Sequence, residues 1–369
     1  MASSASSLPK QWSLSAVPAD GISRVVWMTG SHVVASSWDG SVTLFDAVGN
    51  ARVSSVTRRG AVLDVSPLSS TSVVCGGLDM AVSAHDFATG ATTVLGSHTA
   101  AVRCVEHAPA HGCILSGSWD KTLRVWDARL GSGASAARAG AAALPERCFA
   151  MTMAGSDTVI VATADQKVLF FDLRKLAGSS DAQPASVRES SLKHQTRVLR
   201  AFPDATGFAT GCIEGRVSLD FVDESNEGKF AFKVRAVPRG ERSARAGCVE
   251  LTPEPRPSRP QCHRQKLATG DEKVFPVNAI AFHPCGTFAT GGSDGTVCMW
   301  DGNVKKRIVQ FPEYGAPITS LDFSPDGSLL AIASSYDWTQ GDPANLPTKP
   351  AADNIFIRAV APAEVAPKK

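Results

Sequence analysis

Histidine, serine and aspartate occur together in the first half of the chain, at His98, Ser116 and Asp120. These residue types form the catalytic triad of many hydrolases, in which the histidine takes a proton from an attacking serine. They also form buried hydrogen-bond networks between strands, which are tolerated only when every polar group is satisfied. We favour a structural network, because the group recurs at a regular spacing and ends in Trp126.

Motifs of enzymes and cofactor sites are missing from the rest of the sequence. It contains no phosphate-binding loop, zinc helix or dinucleotide fingerprint. The nine cysteines form no Cys-x-x-Cys pair, and the isolated histidines lack the spacing of metal ligands. We therefore predict a non-enzymatic protein without metal, cofactor or disulfide framework, in a reducing cytosolic or nuclear compartment.

Charge and hydropathy exclude two further classes of function. The 37 basic and 35 acidic residues give a net charge of +2, so no global field attracts nucleic acid. The chain has no apolar run of the 18 or so residues that a membrane span needs, and residues 1–11 lack the apolar core of a secretory signal. We expect no direct binding to nucleic acid or to a membrane.

The elements that position these residues are internal repeats. Five segments share an acidic turn residue, an aromatic residue or histidine six positions later, and aspartate at the seventh. A sixth copy is degenerate, with Glu214 at the turn and with the last two residues exchanged, and Asp337 marks a seventh. The five regular pairs are Asp39 with Phe45, Asp79 with His85, Asp120 with Trp126, Asp165 with Phe171, and Asp294 with Trp300.

The spacing of the repeats predicts the fold. Successive turn residues lie 40, 41, 45, 49, 80 and 43 positions apart. A period near 40–45 with a Trp-Asp ending is typical of a WD40 blade of four strands. The Asp-Gly turns suit tight hairpins, and single blades must stack because one blade cannot bury both its faces. We predict an all-β, seven-bladed WD40 β-propeller whose buried networks include His98, Ser116, Asp120 and Trp126, and Asp294 with Trp300.

The predicted propeller spans residues 12–361, between a disordered N-terminus at 1–11 and a C-terminal tail at 362–369. Residues 12–16 are expected to form the outer strand of the last blade beside 354–358, which closes the ring and covers an exposed edge. Residues 234–261 contain five prolines and six arginines, and proline cannot complete a strand ladder. This segment is therefore expected to be a disordered insertion.

Two tryptophans are candidate anchors for a partner. In a propeller, the turns between the second and third strands share the top face with the connections between blades. Trp38 and Trp119 each immediately precede such a turn residue, where an indole gains nothing from the core of its own blade. Tryptophan dominates interface hot spots, so we predict that both bind a partner peptide. The alternative is that each indole folds back on the neighbouring blade.

Three cations of the fifth repeat are predicted on the same face. Arg197 begins the first strand, Arg216 follows the turn, and Lys233 ends the fourth strand. Converging cations can hold paired carboxylates or a phosphate, and arginine offers bidentate geometry. The alternative is that all three are ordinary solvated charges.

These residues also carry a resemblance to a known family. The chain resembles the spindle-assembly-checkpoint WD40 family that partners the Bub and BubR kinases. Two short segments, PERCF (145–149) and SSYDW (334–338), are more similar to the sister family, the Rae/Gle-type messenger-RNA export factors. The match covers nearly the whole chain and includes SGSWDKT (116–122) and IEGRVSLDF (213–221), and the segments that favour the checkpoint family are RESSLKHQTR (188–197), FATGGSDG (288–295), KKRIVQF (305–311) and DNIFIR (353–358).

The resemblance implies a non-enzymatic adaptor in the nucleus and at mitotic kinetochores. Such proteins bind the acidic GLEBS motif of Bub and BubR kinases across the top face, and the complex reads phosphothreonine in MELT repeats of a kinetochore scaffold. Carried over, Trp38, Trp119 and Arg197 would bind the motif, and Arg216 and Lys233 the acidic groups or phosphate. The division of roles among the three cations stays open. The ring would be a monomer within hetero-complexes.

Two alternative functions and one interpretation of the insertion remain. The protein could be an export adaptor on a nucleoporin, or a cullin-ligase substrate receptor, since WDAR (126–129) and FDLR (171–174) resemble a short adaptor-docking box. The family reads Phe-Lys-Cys-His-Arg where residues 234–261 separate Phe232-Lys233 from Cys262-His263-Arg264. The 28 residues correspond to 84 nucleotides that can begin with GT and end with AG. We therefore consider a translated intron beside a genuine loop.

Overall fold

The computed structural model of the protein describes residues 9–128, 138–223, 230–233, 263–266, 272–339, 341–342, 345 and 351–367. Residues 1–8 and 234–261, for which disorder or a retained intron was predicted, lie outside the described residues. Within the described part, seven four-stranded antiparallel sheets and one short hairpin account for the strands. The prediction of an all-β, seven-bladed propeller is confirmed.

Each of the first six blades is one consecutive run of four strands. Blade 1 contains β2 (Ile22–Trp27), β3 (His32–Ser37), β4 (Ser41–Asp46) and β5 (Ala51–Thr57). Blade 2 contains β6 (Val62–Pro67), β7 (Ser72–Gly77), β8 (Ala81–Asp86) and β9 (Thr92–Ser97). Blade 3 contains β10 (Val102–Ala108), β11 (Cys113–Ser118), β12 (Thr122–Asp127) and β13 (Arg138–Ala143).

The same order continues through the second half of the chain. Blade 4 contains β14 (Cys148–Ala154), β15 (Thr158–Thr163), β16 (Lys167–Asp172) and β17 (Ser186–Glu189). Blade 5 contains β18 (Thr196–Ala201), β19 (Gly207–Cys212), β20 (Arg216–Phe221) and β21 (Phe230–Lys233). A hairpin of β22 (Arg264–Lys266) and β23 (Glu272–Val274) precedes blade 6, which contains β24 (Val277–Phe282), β25 (Phe288–Gly292), β26 (Val297–Asp301) and β27 (Lys306–Gln310).

Blade 7 joins the two ends of the chain. It consists of β28 (Ile318–Phe323), β29 (Leu329–Ser334), β30 (Asn354–Ala359) and β1 (Gln11–Ser13), with β1 as the outermost strand. Gln11 lies opposite Arg358 and Ser13 opposite Phe356, so the predicted closure by an N-terminal strand is confirmed. The strand ends at Ser13, earlier than expected, and the chain turns away through Ala16, which has a φ of 54°.

The innermost strands form the wall of the central channel. Each of β2, β6, β10, β14, β18, β24 and β28 packs on the next, and β28 packs on β2, so the ring is closed. The second strands are almost wholly buried, as in β11, because blades cover both their faces. The outer strands β5 and β9 are largely exposed. Burial is therefore greatest in the second strands and lowest in the outer strands at the rim.

Helices are few and short in the described residues. They are the 3₁₀ turn at Pro109–His111, α1 (Leu173–Leu176) and α2 (Pro362–Val365), and none of them is long and apolar enough to cross a membrane. Helix α2 lies within the segment expected to be a tail. Its Val365 is buried, and the Val365 carbonyl accepts a hydrogen bond of 3.0 Å from Thr287 Oγ1. This contact explains why the chain stays against the ring after β30.

A polar cluster joins the chain termini beneath α2. The buried Arg358 guanidinium lies 3.8 Å from the centroid of the Phe311 ring, and Arg358 Nη2 donates to Glu364 Oε1 at 2.9 Å. Arg358 Nη1 also lies 3.4 Å from Gln11 Oε1, which accepts from Tyr314 Oη at 3.0 Å. The cluster thus holds the first strand and the last helix together.

Candidate functional site

The His98 group forms a connected hydrogen-bond network in blade 3. Since a carboxylate only accepts, His98 Nδ1 donates to Asp120 Oδ2 at 2.9 Å. His98 Nε2 lies 2.7 Å from Ser116 Oγ, which also accepts from Trp126 Nε1 at 2.8 Å. Burial acts to raise the pKa of Asp120, but the hydrogen bonds from His98 and Thr122 outweigh it and hold the pKa well below its ordinary value. Ser116 is completely buried, so its hydroxyl is out of reach of a substrate.

Blade 6 contains the same network, with two members that the sequence analysis did not assign. His263 Nδ1 donates to Asp294 Oδ1 at 2.7 Å, and His263 Nε2 lies 3.2 Å from Thr290 Oγ1. Trp300 Nε1 donates to Thr290 Oγ1 at 2.9 Å. His263 lies two residues after the end of the insertion at 234–261 and directly before the β22–β23 hairpin. The insertion and the hairpin interrupt the regular spacing of the repeats, so the sequence pattern does not identify His263.

In blade 2 an arginine takes the place of the histidine. Arg58 directly follows β5, as His98 directly follows β9. Arg58 Nε and Nη2 donate to the two oxygens of Asp79 at 3.0 and 2.8 Å, and Nη2 also donates to the Ala81 carbonyl at 2.8 Å. A bidentate arginine joins the blades as the histidine does. A sequence pattern that requires histidine at this position does not identify Arg58.

A cavity of about 300 Å³ opens at the channel mouth on the face that carries the second turn of each blade. Trp38, Trp119 and Arg197 all line it, so the structure brings these three predicted residues together. They come from blades 1, 3 and 5. The cavity wall also includes Arg103 on β10 and Trp338 in the loop after β29. Its size is at the lower end of ordinary ligand pockets, which suits a few side chains of a peptide.

The two indoles differ in burial. Trp38 is 49% exposed, and its backbone N–H donates to the Gly21 carbonyl at 2.9 Å. Its indole lies beside Gly21, with Cδ1 3.5 Å from the position that a Cβ on Gly21 would occupy. Trp119 is half-buried, and its Nε1 has no hydrogen-bond acceptor among the described residues. Both residues line the cavity, and the inaccessible indole N–H of Trp119 is an unpaired donor within the described part of the chain.

Arg197 is a half-buried cation that also keeps an unpaired donor. Its Nε is inaccessible and has no hydrogen-bond acceptor among the described residues. Burial lowers the pKa of Arg197, Asp337 opposes this effect, and Arg103 adds to it. Buried donors without acceptors are unfavourable. A carboxylate in the cavity would lie beside the Arg197 guanidinium and offset its repulsion by Arg103.

Arg216 lies apart from this cavity and does not line it. Arg216 and Lys233 are opposite each other in the register of β20 and β21, the two outer strands of blade 5. Arg216 Nη2 donates to Glu214 Oε1 at 3.2 Å, and His194 Nε2 lies 3.1 Å from Glu214 Oε2. The side chain of Lys233 lies outside the described residues. The structure therefore separates Arg197 at the mouth from an outer pair in which Glu214 already engages Arg216.

Further residues at the mouth escaped the sequence analysis. Arg103, Tyr336 and Trp338 line the cavity, and Trp338 is 61% exposed. Trp338 directly follows Asp337, the seventh turn residue. The pattern that identifies Trp38 and Trp119 places the tryptophan before the turn residue and therefore does not include Trp338.

Seven four-stranded blades and buried networks that end in tryptophan define a WD40 β-propeller. The family model described as WD domain, G-beta repeat matches residues 91–127, 264–301 and 305–339. These matches fall on the third, sixth and seventh repeats. The repeat matches and the seven four-stranded sheets therefore both show a WD40 propeller.

Similar proteins identify the family within this class. The chain is 41% identical over 360 residues to mitotic checkpoint protein BUB3.1 of Arabidopsis thaliana, covering 96% of this chain and 94% of that protein. It is 36% identical over 373 residues to mitotic checkpoint protein bub-3 of Caenorhabditis elegans, covering 98% and 96%. The mRNA export factor GLE2 of Chaetomium thermophilum is 33% identical over 325 residues, covering 85% and 80%. The chain belongs to the Bub3 family of mitotic checkpoint WD40 proteins, and the resemblance inferred from its motifs is confirmed.

Proposed function

We propose that the protein is a non-enzymatic spindle-checkpoint adaptor whose channel mouth binds an acidic GLEBS-type motif of Bub or BubR kinases. The observation that supports this proposal most is the meeting of Trp38, Trp119 and Arg197 in one cavity. An exposed indole provides apolar contact area, and the buried N–H groups of Trp119 and Arg197 lack acceptors among the described residues. An acidic peptide supplies both an apolar side chain and the missing acceptors.

The outer pair on blade 5 is proposed to read phosphothreonine in a kinetochore scaffold. Arg216 and Lys233 lie opposite each other on neighbouring strands, and a phosphate offers three strong acceptor oxygens. Glu214 is 3.0 Å from Arg216 Nε, so a phosphate must compete with this carboxylate. A dianionic phosphate competes better than an unmodified threonine, which gives the site its dependence on phosphorylation. The adaptor would thereby bring kinases to kinetochores of the mitotic nucleus.

Co-purification with a Bub-type kinase tests the mouth. Trp38→Ala and Arg197→Glu are each expected to lower kinase recovery at least tenfold, because hot-spot truncation and charge reversal each remove a central contact. Lys193→Glu is the matched control for Arg197→Glu, since Lys193 is exposed in the loop that precedes β18 and does not line the cavity. Kinase recovery that is unchanged in both variants, with melting temperatures unchanged, would overturn the assignment of the mouth.

An export adaptor docked on a nucleoporin is the second candidate, supported by the similarity to the export factor GLE2. Imaging of the tagged protein separates the two. Punctate kinetochore signal before anaphase supports the checkpoint adaptor, whereas a steady nuclear rim supports the export adaptor. The cullin-ligase alternative depends on the arginines that end the FDLR and WDAR segments. Arg174 of FDLR donates to Asp172 Oδ2 at 2.8 Å, and Arg129 of WDAR lies outside the described residues.

A further inference from the structure

Trp338 is the most exposed of the large apolar side chains in the described part of the chain. It is 61% exposed, more than the proposed anchor Trp38 at 49%. Trp338 borders the same cavity as Trp38, Trp119 and Arg197. Its indole adds nothing to the core of blade 7, and exposed apolar groups that cluster on one surface mark interaction sites.

The backbone holds Trp338 in an unfavourable conformation. Its φ is 58°, a left-handed value that bulky residues rarely adopt. The loop is fixed around it: the Gly341 N–H donates to the Trp338 carbonyl at 3.1 Å, and Tyr336 Oη donates to the Gly341 carbonyl at 2.8 Å. Such strain persists where the surrounding structure enforces it, typically at binding sites. The indole is therefore held at a set position on the rim.

Hydrogen bonds of Asp337 set the same loop against the neighbouring blade. Asp337 Oδ1 accepts from Thr339 Oγ1 at 2.7 Å, and Oδ2 accepts from Ser293 Oγ of blade 6. The rings of Tyr336 and Trp338 lie 5.8 Å apart between centroids. The two aromatic residues thus form one rigid rim on the blade 7 side of the mouth.

The charges around the cavity indicate the chemistry of its occupant. Arg103 and Arg197 line it, and Asp337 is the acidic residue that lines it in the described part of the chain. The Asp337 carboxylate is already bonded to Thr339 and Ser293. The mouth therefore favours an anionic group beside apolar ones, which is the composition of an acidic peptide with interspersed apolar residues.

We propose that Trp338 determines specificity at this mouth by binding one apolar side chain of the same acidic peptide whose carboxylate pairs with Arg197. This inference rests on the proposed function and adds a third indole, from blade 7, to those of blades 1 and 3. The peptide would run across the channel, with its acidic residue over the arginines and its apolar residue on the Tyr336–Trp338 rim. A peptide without that apolar residue would lose this contact.

A double-mutant cycle tests the contact. The probe is a fluorescein-labelled peptide of the acidic GLEBS-type segment of a Bub kinase, together with variants in which each apolar residue is changed to Ala. Fluorescence anisotropy is measured with the wild-type propeller, Trp338→Ala, Trp338→Phe and Trp38→Ala. Val94→Ala, at an exposed residue of β9, is the control for loss of apolar surface far from the mouth.

The proposal predicts at least tenfold weaker binding by Trp338→Ala, and a smaller loss in Trp338→Phe. Changing one apolar residue of the peptide to Ala should weaken its binding at least tenfold to the wild-type propeller and less than twofold to Trp338→Ala. Binding by Trp338→Ala within twofold of the wild type, with Trp38→Ala impaired, would overturn this inference and leave the proposed function standing. A wild-type propeller that binds none of the peptides would overturn the proposed function itself.

Discussion

Replacing Glu106 with glutamine is expected to stabilise the protein at alkaline pH and to have little effect near pH 5. Glu106 lies on β10 in the wall of the central channel. Burial raises its pKa from the ordinary value of 4.5 to about 8, and the carboxylates of Asp64 and Asp322 add to the increase, whereas Arg24 opposes it. The folded protein therefore holds the Glu106 proton over a pH range in which the unfolded chain has lost it.

The sign and size of the effect follow from this difference. A carboxyl group whose pKa is raised by folding destabilises the fold as pH rises from the unfolded pKa to the folded one. Each pKa unit corresponds to about 1.36 kcal/mol, so the full cost at pH 8 is about 4 kcal/mol. Water in the channel screens part of it, and we expect Glu106→Gln to gain about 2 kcal/mol at pH 8. The amide keeps the shape of the protonated carboxyl without its charge.

Urea unfolding of wild type and variant at pH 5 and pH 8 measures the gain. The free energy of unfolding should differ by less than about 0.5 kcal/mol at pH 5 and by about 2 kcal/mol at pH 8. Glu313→Gln, at an exposed residue, is the control for loss of one negative charge and should show no comparable change. An equal gain at both pH values, or a loss of stability at pH 8, would refute the reasoning.

Four further predictions concern the networks, the closure, the phosphate pair and the insertion. Trp126→Phe removes one buried hydrogen bond and should lower the free energy of unfolding by about 1 kcal/mol, which urea titration measures; no change would argue against the network. Arg358→Ala removes the buried guanidinium from the half-buried Glu364 carboxylate, which keeps only Lys10 and the Ala361 N–H, and should cost about 2–3 kcal/mol in the same assay; no loss would show that the contact between the termini does not stabilise the ring. Arg216→Ala combined with Lys233→Ala should abolish the preference for a phosphorylated scaffold peptide in a binding assay; equal affinity of the unmutated complex for phosphorylated and plain peptide would refute the phosphate site. If residues 234–261 are a translated intron, transcript sequencing should find messages without the 84 nucleotides, whereas a tryptic peptide from inside the segment, with the nucleotides present in every message, would show a genuine loop.

The number of blades was predictable because each turn aspartate marks one hairpin. An aspartate such as Asp39 or Asp294 accepts the backbone N–H two residues later, so its spacing records the spacing of hairpins. The placement of Trp38, Trp119 and Arg197 on one face also followed from the direction of the strands. In a propeller, the end of a strand at which a residue lies determines the face of the ring on which it is found.

Other features depend on partners that a linear pattern cannot assign. Arg58 fills the place of a histidine because its guanidinium reaches the same aspartate with different chemistry. The pairing of Arg216 with Glu214 joins two residues at adjacent ends of a turn, where the sequence leaves each side chain free to point elsewhere. Helix α2 is short, and contacts with the ring rather than a helical periodicity hold it in place.

The joining of β1 to β30 has a consequence for the order in which the protein folds. Gln11 and its neighbour Arg358 are 347 positions apart, so the ring cannot close until nearly the whole chain has been synthesised. Until then β1 has no strand to pair with, and unpaired strand edges are sites of aggregation. A chain that ends before β30 therefore remains an open arc of blades, in which β1 is unpaired and the seventh sheet lacks its two outer strands.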